Sequence, residues 1–308
     1  MGNAELKARI SALKKEKNAV ILAHNYQRGE VQDIADFIGD SLELSEQAAD
    51  TDAEVIVFCG VHFMAETAAI LCPGKKVLLP DIAAGCPMAD MVTLEDFEEV
   101  KRQHPQATVV CYVNSSAAVK AASDICCTSS SAVRIIQALN DQEILFIPDQ
   151  HLGEYVREVT GKCIILWPGF CPTHAHIRSE DIIGLKAEYP AARVVVHPEC
   201  RREVRVLADA VLGTGGICRY AREEEFDTLI VGTEVGILHR LRKENPHKTF
   251  IPASTKAVCP NMKRTTLDKV VRCLETLQPE ITVPDEVRIR ARRALDRMFS
   301  YIRGGEDT

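Results

Sequence analysis

Three cysteines stand in matching places along this chain. Cys86, Cys171 and Cys259 are each followed by proline and lie 85 and 88 residues apart. Proline fixes the local backbone torsion and removes a donor, so the three thiols belong to loops of one kind. A structural zinc takes four ligands, commonly as close pairs, and no CxxC occurs in the sequence. Three thiolates without an evident fourth better suit a catalytic centre with an open coordination position. An iron-sulfur cluster fits that donor set, with three irons on cysteine and the fourth left to a substrate. The plain alternative is that these are buried small hydrophobes, and spacing alone leaves both readings open. The other nine cysteines have no repeated position and are read as buried thiols.

A second set recurs with the same period. His24, Tyr112 and His197 end β-branched runs and lie 88 and 85 residues apart, and Tyr26, Asn114 and Glu199 follow two residues later. A phenol, an amide and a carboxylate around one centre would form an acid/base and orientation set. Taken singly, each histidine reads as a hydrogen-bonded structural residue; the matched positions argue for a site. Ser41, Ser129 and Thr214 repeat at the same spacing before helical patterns. Each reads either as an ordinary helix cap or, if three helix starts face one cavity, as a donor for carboxylate or phosphate. His174 and His176 after Cys171 are left between lining the cluster and solvation. His62, His104, His239 and His247 are read as structural.

Each copy reads as strand, helix, polar turn, helix, strand, helix, strand. Continuous apolar runs such as Val20–Ala23, Thr108–Tyr112 and Val194–His197, joined by helical crossovers, indicate buried parallel sheets. The expected fold class is α/β: three similar αβα sandwich domains with parallel sheets about a pseudo-threefold axis. Their expected extents are residues 1–91, 92–177 and 178–263. Residues 264–308 are expected to add helices that pack on the body, including an arginine-rich amphipathic one from Glu286 to Arg303. Ligands of open parallel sheets bind beyond the carboxyl ends of the strands, where the repeated side chains fall.

The chain has 308 residues, 46% of them apolar, twelve cysteines and a net charge of −7. An acidic balance speaks against a general nucleic-acid binder and gives no steering field for anions. The first eighteen residues lack the apolar core of a signal peptide, and no uncharged apolar run reaches the ~18 residues that span a bilayer. These features predict a cytoplasmic protein with reduced thiols, no membrane partner and no nucleic-acid partner.

The ordered motifs HNY at His24, GDSLELS, CGVHFMAET, GCPMADM, YVNS, CTSS, WPGFCPTH, HPEC, GTE and CPNMK resemble the quinolinate synthase family over nearly the whole length. The resemblance implies a 4Fe-4S cluster on Cys86, Cys171 and Cys259. It also implies condensation of iminoaspartate with dihydroxyacetone phosphate, releasing phosphate and two waters. By the same resemblance His24, Ser41, Tyr112, Asn114, Ser129, His197, Glu199 and Thr214 bind substrate, and Tyr26, Glu199 and His197 serve catalysis. A transient contact with the enzyme that supplies unstable iminoaspartate is the implied partner interaction. Three departures are visible: Leu212-Gly213-Thr214 where the family has Gly-Ser-Thr, His151 for a usual asparagine, and Ser131 for another. Met262 replaces the second cysteine of a CxxCxxC that some relatives carry, so no redox disulfide is expected there. The competing functions are an iron-sulfur hydro-lyase on another small dicarboxylate and a non-catalytic iron-sulfur sensor. Formation of pyridine-2,3-dicarboxylate separates all three.

Overall fold

A computed structural model describes residues 2–140 and 143–303. Among the described residues twelve strands form three four-stranded sheets. The first holds β1 (Ala19–His24), β2 (Phe37–Gly39), β3 (Val55–Cys59) and β4 (Lys76–Leu78). The second holds β5 (Thr108–Tyr112), β6 (Ile125–Cys127), β7 (Ile144–Ile147) and β8 (Ile164–Leu166). The third holds β9 (Arg193–Val196), β10 (Ala210–Val211), β11 (Thr228–Gly232) and β12 (Thr249–Pro252). Every pairing is parallel, and the orders β2-β1-β3-β4, β6-β5-β7-β8 and β10-β9-β11-β12 are one topology repeated. With helices on both faces, the central strands are sealed: Ile21, Leu22, Val110, Ile144, Val194 and Ile230 have no exposed surface. Each such Ile, Leu or Val contributes about 1.5–3 kcal/mol through burial.

The sequence pattern gave three strands per copy, and the structure adds a fourth. β2, β6 and β10 lie in what reads as a polar turn. They are only two or three residues long, too short to show a period, and become strands by pairing with the first strand, as in Leu22↔Phe37 and His24↔Gly39. An aspartate fixes the turn that leads into each. Asp36, Asp124 and Asp209 accept the backbone N–H of Ile21, Val109 and Val194 at 2.8, 2.8 and 2.7 Å.

The N-terminal helix Asn3–Glu16 buries Leu6, Ile10 and Leu13 and packs against the helix Leu267–Thr276. The helix Asp285–Arg303 buries Ala291, Ala294, Leu295 and Met298 and lies on the helix Ala117–Ala122 and on β6. Of its arginines, Arg288 and Arg292 make short-range pairs, the latter with Asp296 at 2.6 Å, while Arg292 and Arg297 also donate to the carbonyls of Leu71 and Asp124. No described helix is long and apolar enough to cross a membrane. The consequence for chemistry is that the carboxyl ends of β1, β5 and β9 open into one space.

Candidate active site

That space is a cavity of about 150 Å³. Its walls include Cys86, Cys171 and Cys259, then His24, Tyr26, Tyr112, Asn114, His197 and Glu199, and beyond them Ser41, Ser129 and Thr214. All twelve repeated side chains singled out in the sequence therefore share one site. Asn25, next to His24 and Tyr26, is fully buried and donates from Nδ2 to Thr214 Oγ1 at 3.1 Å, which ties the first and third copies together.

The three Cys-Pro loops are built alike at their sulfurs. The backbone N–H groups of Ala89, His174 and Met262, each three residues past its cysteine, face Sγ and favour the thiolate. Against them, burial pushes the Cys86 thiol up to about 12 and raises Cys171 and Cys259 as well. An array of N–H donors is of little use to a neutral thiol and suits a thiolate bound to metal. The donor set thus fits a cysteine-ligated iron-sulfur cluster, with N–H···S bonds of the kind that tune one. Buried carboxylates anchor two of the loops from behind: Asp149 accepts the N–H of Cys171 at 3.1 Å, and Glu234 accepts that of Cys259 at 3.0 Å. Glu234 is also paired with Lys263 at 2.9 Å.

Beside Cys171 runs a continuous buried chain of hydrogen bonds. Tyr26 Oη lies 2.5 Å from Thr233 Oγ1, Thr233 Oγ1 lies 2.8 Å from His174 Nε2, and His174 Nδ1 lies 2.7 Å from Glu199 Oε2. Tyr112 completes it by donating its hydroxyl to Glu199 Oε1 at 2.6 Å. Burial pushes the Glu199 carboxyl up; His174 and His197, when they carry a proton charge, and the hydrogen bonds donated by His174 and Tyr112 hold it below the ordinary carboxylate range. An ionised Glu199 only accepts, so His174 donates from Nδ1 and takes a bond from Thr233 at Nε2. Burial, reinforced by the Glu199 charge, holds the Tyr26 and Tyr112 phenols well above their usual value and therefore neutral. Cys171, His174 and Glu199 also bring metal-capable atoms within 4.8 Å of one another, at the cluster loop itself.

His24 and His197 are matched in detail. The backbone N–H of Tyr26 donates to His24 Nδ1 at 3.1 Å, and that of Glu199 to His197 Nδ1 at 3.3 Å. A backbone N–H cannot accept, so each neutral ring carries its proton on Nε2. Burial lowers both to about 3, so at neutral pH they are uncharged donors and not imidazolium ions.

Ser41 and Thr214, which also line the cavity, are the first residues of the helices Ser41–Asp50 and Thr214–Glu223, and neither is the cap. Asp40 caps the first by accepting from Leu42 and Glu43 at 2.9 and 3.0 Å, which leaves the Ser41 hydroxyl to the cavity. Ser129 lies in a turn held by Thr128 and Ser131, where the Thr128 N–H donates to Ser131 Oγ at 2.9 Å. A Cβ at Gly213 would stand 2.9 Å from Ser129 Oγ, so the glycine found in place of a serine leaves room for Ser129. Among the described residues Asn114 Oδ1 is buried without a hydrogen-bond partner, and its residue lines the cavity. An orphan acceptor of this kind calls for a ligand donor.

Sequence reading missed Thr233, Asp149 and Glu234, which lie outside the repeated strand-end triplets. Of the two places the sequence allows for His174, the structure shows the buried one: its ring lies fully inside, stacked on His197 with centroids 4.6 Å apart. His104 and His239 pair with Glu143 and Asp33 at partly exposed positions away from the cavity.

Residues 8–300 match the family model described as Quinolinate synthetase A protein. The chain is 59% identical over 294 residues to a quinolinate synthase of Dehalococcoides mccartyi strain CBDB1, covering 96% of this chain and 97% of that one. It is 54% identical to those of Geotalea uraniireducens and Methanosarcina barkeri, over 299 and 300 residues, with 97% of this chain covered in each case and 98% and 99% of theirs.

Proposed function

The chain belongs to the quinolinate synthetase A family, and on that premise we propose which residues hold its cofactor and which carry its chemistry. The protein is a quinolinate synthase: it condenses iminoaspartate with dihydroxyacetone phosphate to quinolinate, phosphate and two waters, using a 4Fe-4S cluster. Cys86, Cys171 and Cys259 are the proposed ligands, one from each of the units 1–91, 92–177 and 178–263. When bound, the cluster supplies a Lewis acid at the iron that no cysteine holds.

The remaining work falls to the protein. His24 and His197, neutral with Nε2–H facing the cavity, donate hydrogen bonds to substrate oxygens, and Asn114 Oδ1 accepts one. Ser41, Ser129 and Thr214 offer hydroxyls, and the starts of the two ten-residue helices at Ser41 and Thr214 offer N–H groups, to carboxylate or phosphate. Tyr112 joins them while orienting Glu199. Glu199, ionised and buried, is the base that removes a proton from bound substrate; Tyr26, neutral, is the acid that gives one to a departing hydroxyl. The hydrogen-bonded link through Thr233 and His174 holds the acid Tyr26 and the base Glu199 in a fixed relation to each other. The observation that carries this reading is the unbroken chain from Tyr26 to Glu199 beside the cysteine loops. The free cysteines favour a cytoplasmic setting, with a transient contact to the enzyme that supplies iminoaspartate.

The test is anaerobic formation of pyridine-2,3-dicarboxylate from the two substrates by cluster-loaded protein; none formed would contradict the assignment. Tyr26→Phe and Glu199→Gln should each lower kcat by ~10²-fold to 10⁴-fold with little change in KM. Turnover within a few-fold of the parent would move proton transfer to other groups.

A further inference from the structure

Three long side chains outside the chemistry above stand at equivalent places in the repeat. Gln32, Lys120 and Arg205 lie 88 and 85 residues apart and are 1%, 0% and 4% exposed. As types they share only N–H donors on a flexible stem, yet each uses those donors in the same way. Gln32 Nε2 donates to the carbonyl of Gln27 in its own copy and of Gly236 in the third copy, both at 2.9 Å. Lys120 Nζ donates to Ser115 in its own copy at 2.7 Å and reaches Phe63 of the first copy at 3.4 Å. Arg205 Nη1 donates to Cys200 in its own copy at 2.8 Å and to His151 of the second copy at 3.1 Å. The acceptors recur with the period of the donors, so the first copy is tied to the third, the third to the second and the second to the first.

What the ties join is the functional point. Gln27, Ser115 and Cys200 each directly follow a reaction-site residue: Tyr26, Asn114 and Glu199. Gly236 and His151 each lie two residues past Glu234 and Asp149, the carboxylates that hold the Cys259 and Cys171 loops. Phe63 lies two past Val61, and both line the cavity. We propose that Gln32, Lys120 and Arg205 are a cyclic set of interdomain positioning residues, each setting the reaction side chain of one copy against the cluster side of the next. The inference rests on the site assignment above and adds residues that touch neither substrate nor cluster. Geometry of this kind matters because a misplacement of about 1 Å costs on the order of 10²-fold in rate. Carbonyls bridged by a buried donor cannot separate without leaving polar groups unpaired.

The experiment uses full-length, anaerobically reconstituted protein and measures iron and sulfide per chain, Tm, kcat and KM. Lys120→Met keeps the stem and removes the donors; Lys120→Gln restores the amide that the first copy uses at the same place. The expected result for Lys120→Met is a kcat per cluster lower by about tenfold or more, with KM changed by less than about threefold and cluster content kept. Lys120→Gln should recover kcat to within about threefold of the parent. A lower Tm with kcat per cluster within about twofold of the parent would overturn the proposal, as would a Gln variant no better than Met. Gln32→Met, which buries no stranded charge, decides by the same criteria if Lys120→Met yields no folded protein; loss of folding in both would reduce the set to fold stability and also overturn it. A parent that makes no quinolinate in this assay speaks against the site assignment, whereas an active parent matched by its variants speaks against the ties.

Discussion

The loop that carries Cys86 and the loops that carry Cys171 and Cys259 share a Cys-Pro start and an N–H aimed at sulfur, but they are held in different ways. Behind Cys171 and Cys259 stand Asp149 and Glu234, both fully buried and both bonded to the cysteine N–H. The equivalent position in the first copy is Val61, and among the described residues no carboxylate takes the N–H of Cys86. That loop is fixed at its base instead, where Asp81 pairs with Lys269 at 2.6 Å and its side chain accepts from Ala83 at 2.9 Å, with Ala84 accepting from His62 at 2.8 Å. The repeat has kept what the sulfur needs and let the support diverge. The first copy has its buried carboxylate elsewhere, at Asp40 next to Ser41 on the cavity wall, where the other copies have Thr128 and Gly213.

The contrast is sharpest at Glu234. Glu234→Ala removes the acceptor for Cys259 and Gly236 and leaves Lys263 without its buried partner, a loss of about 3–5 kcal/mol. It should lower Tm strongly and reduce iron per chain, while Asp81→Ala, at a more exposed pair, should cost far less. Equal losses in the two variants would erase the distinction between the loops.

Asp40 tests the displaced carboxylate through pH. Burial, with Glu43 adding, raises its pKa from 3.8 to about 6 in the folded protein. A carboxyl with a raised folded pKa favours the folded state below pH 4, and that contribution is lost as pH rises toward 6; two pKa units amount to about 3 kcal/mol. Asp40→Asn does not titrate, so Tm of the variant relative to the parent should rise between pH 4 and pH 7. A constant difference across that range would mean that Asp40 carries no such penalty.

A smaller effect is expected at Asp149. Asp149→Asn keeps one oxygen for Leu152 or Cys171 and loses the other, leaving one buried N–H short at about 1–3 kcal/mol. Thermal unfolding of the cluster-loaded protein measures it, and an unchanged Tm would show that the Cys171 loop is held by its packing alone.

Much of this was legible in the chain. The 88- and 85-residue spacing located the three sheets, the cysteine loops and the strand-end side chains, because a repeat carries its period into space once the copies pack around an axis. The short strands β2, β6 and β10 were hidden, since two or three residues carry no alternation. Thr233, Asp149 and Glu234 were hidden for a different reason: they follow the third strand of each copy, where Val61, Asp149 and Glu234 share a position but not a chemistry. His174 could be placed only by knowing which way the turn after Cys171 folds. The resemblance to quinolinate synthases named the reaction, but the neutral state of His24 and His197 followed from their burial and their Nε2–H tautomer from the backbone N–H at Nδ1.

The central claim is that one cysteine from each copy binds a single cluster, and iron and sulfide content after anaerobic reconstitution tests it most directly. The parent should hold about four irons and four sulfides per chain. Cys86→Ser, Cys171→Ser and Cys259→Ser should each lose most of both along with the chromophore, while Cys72→Ser and Cys273→Ser, at buried positions outside the cavity, should retain them. Full iron and sulfide in any of the first three variants, or their loss from either of the last two, would contradict the account.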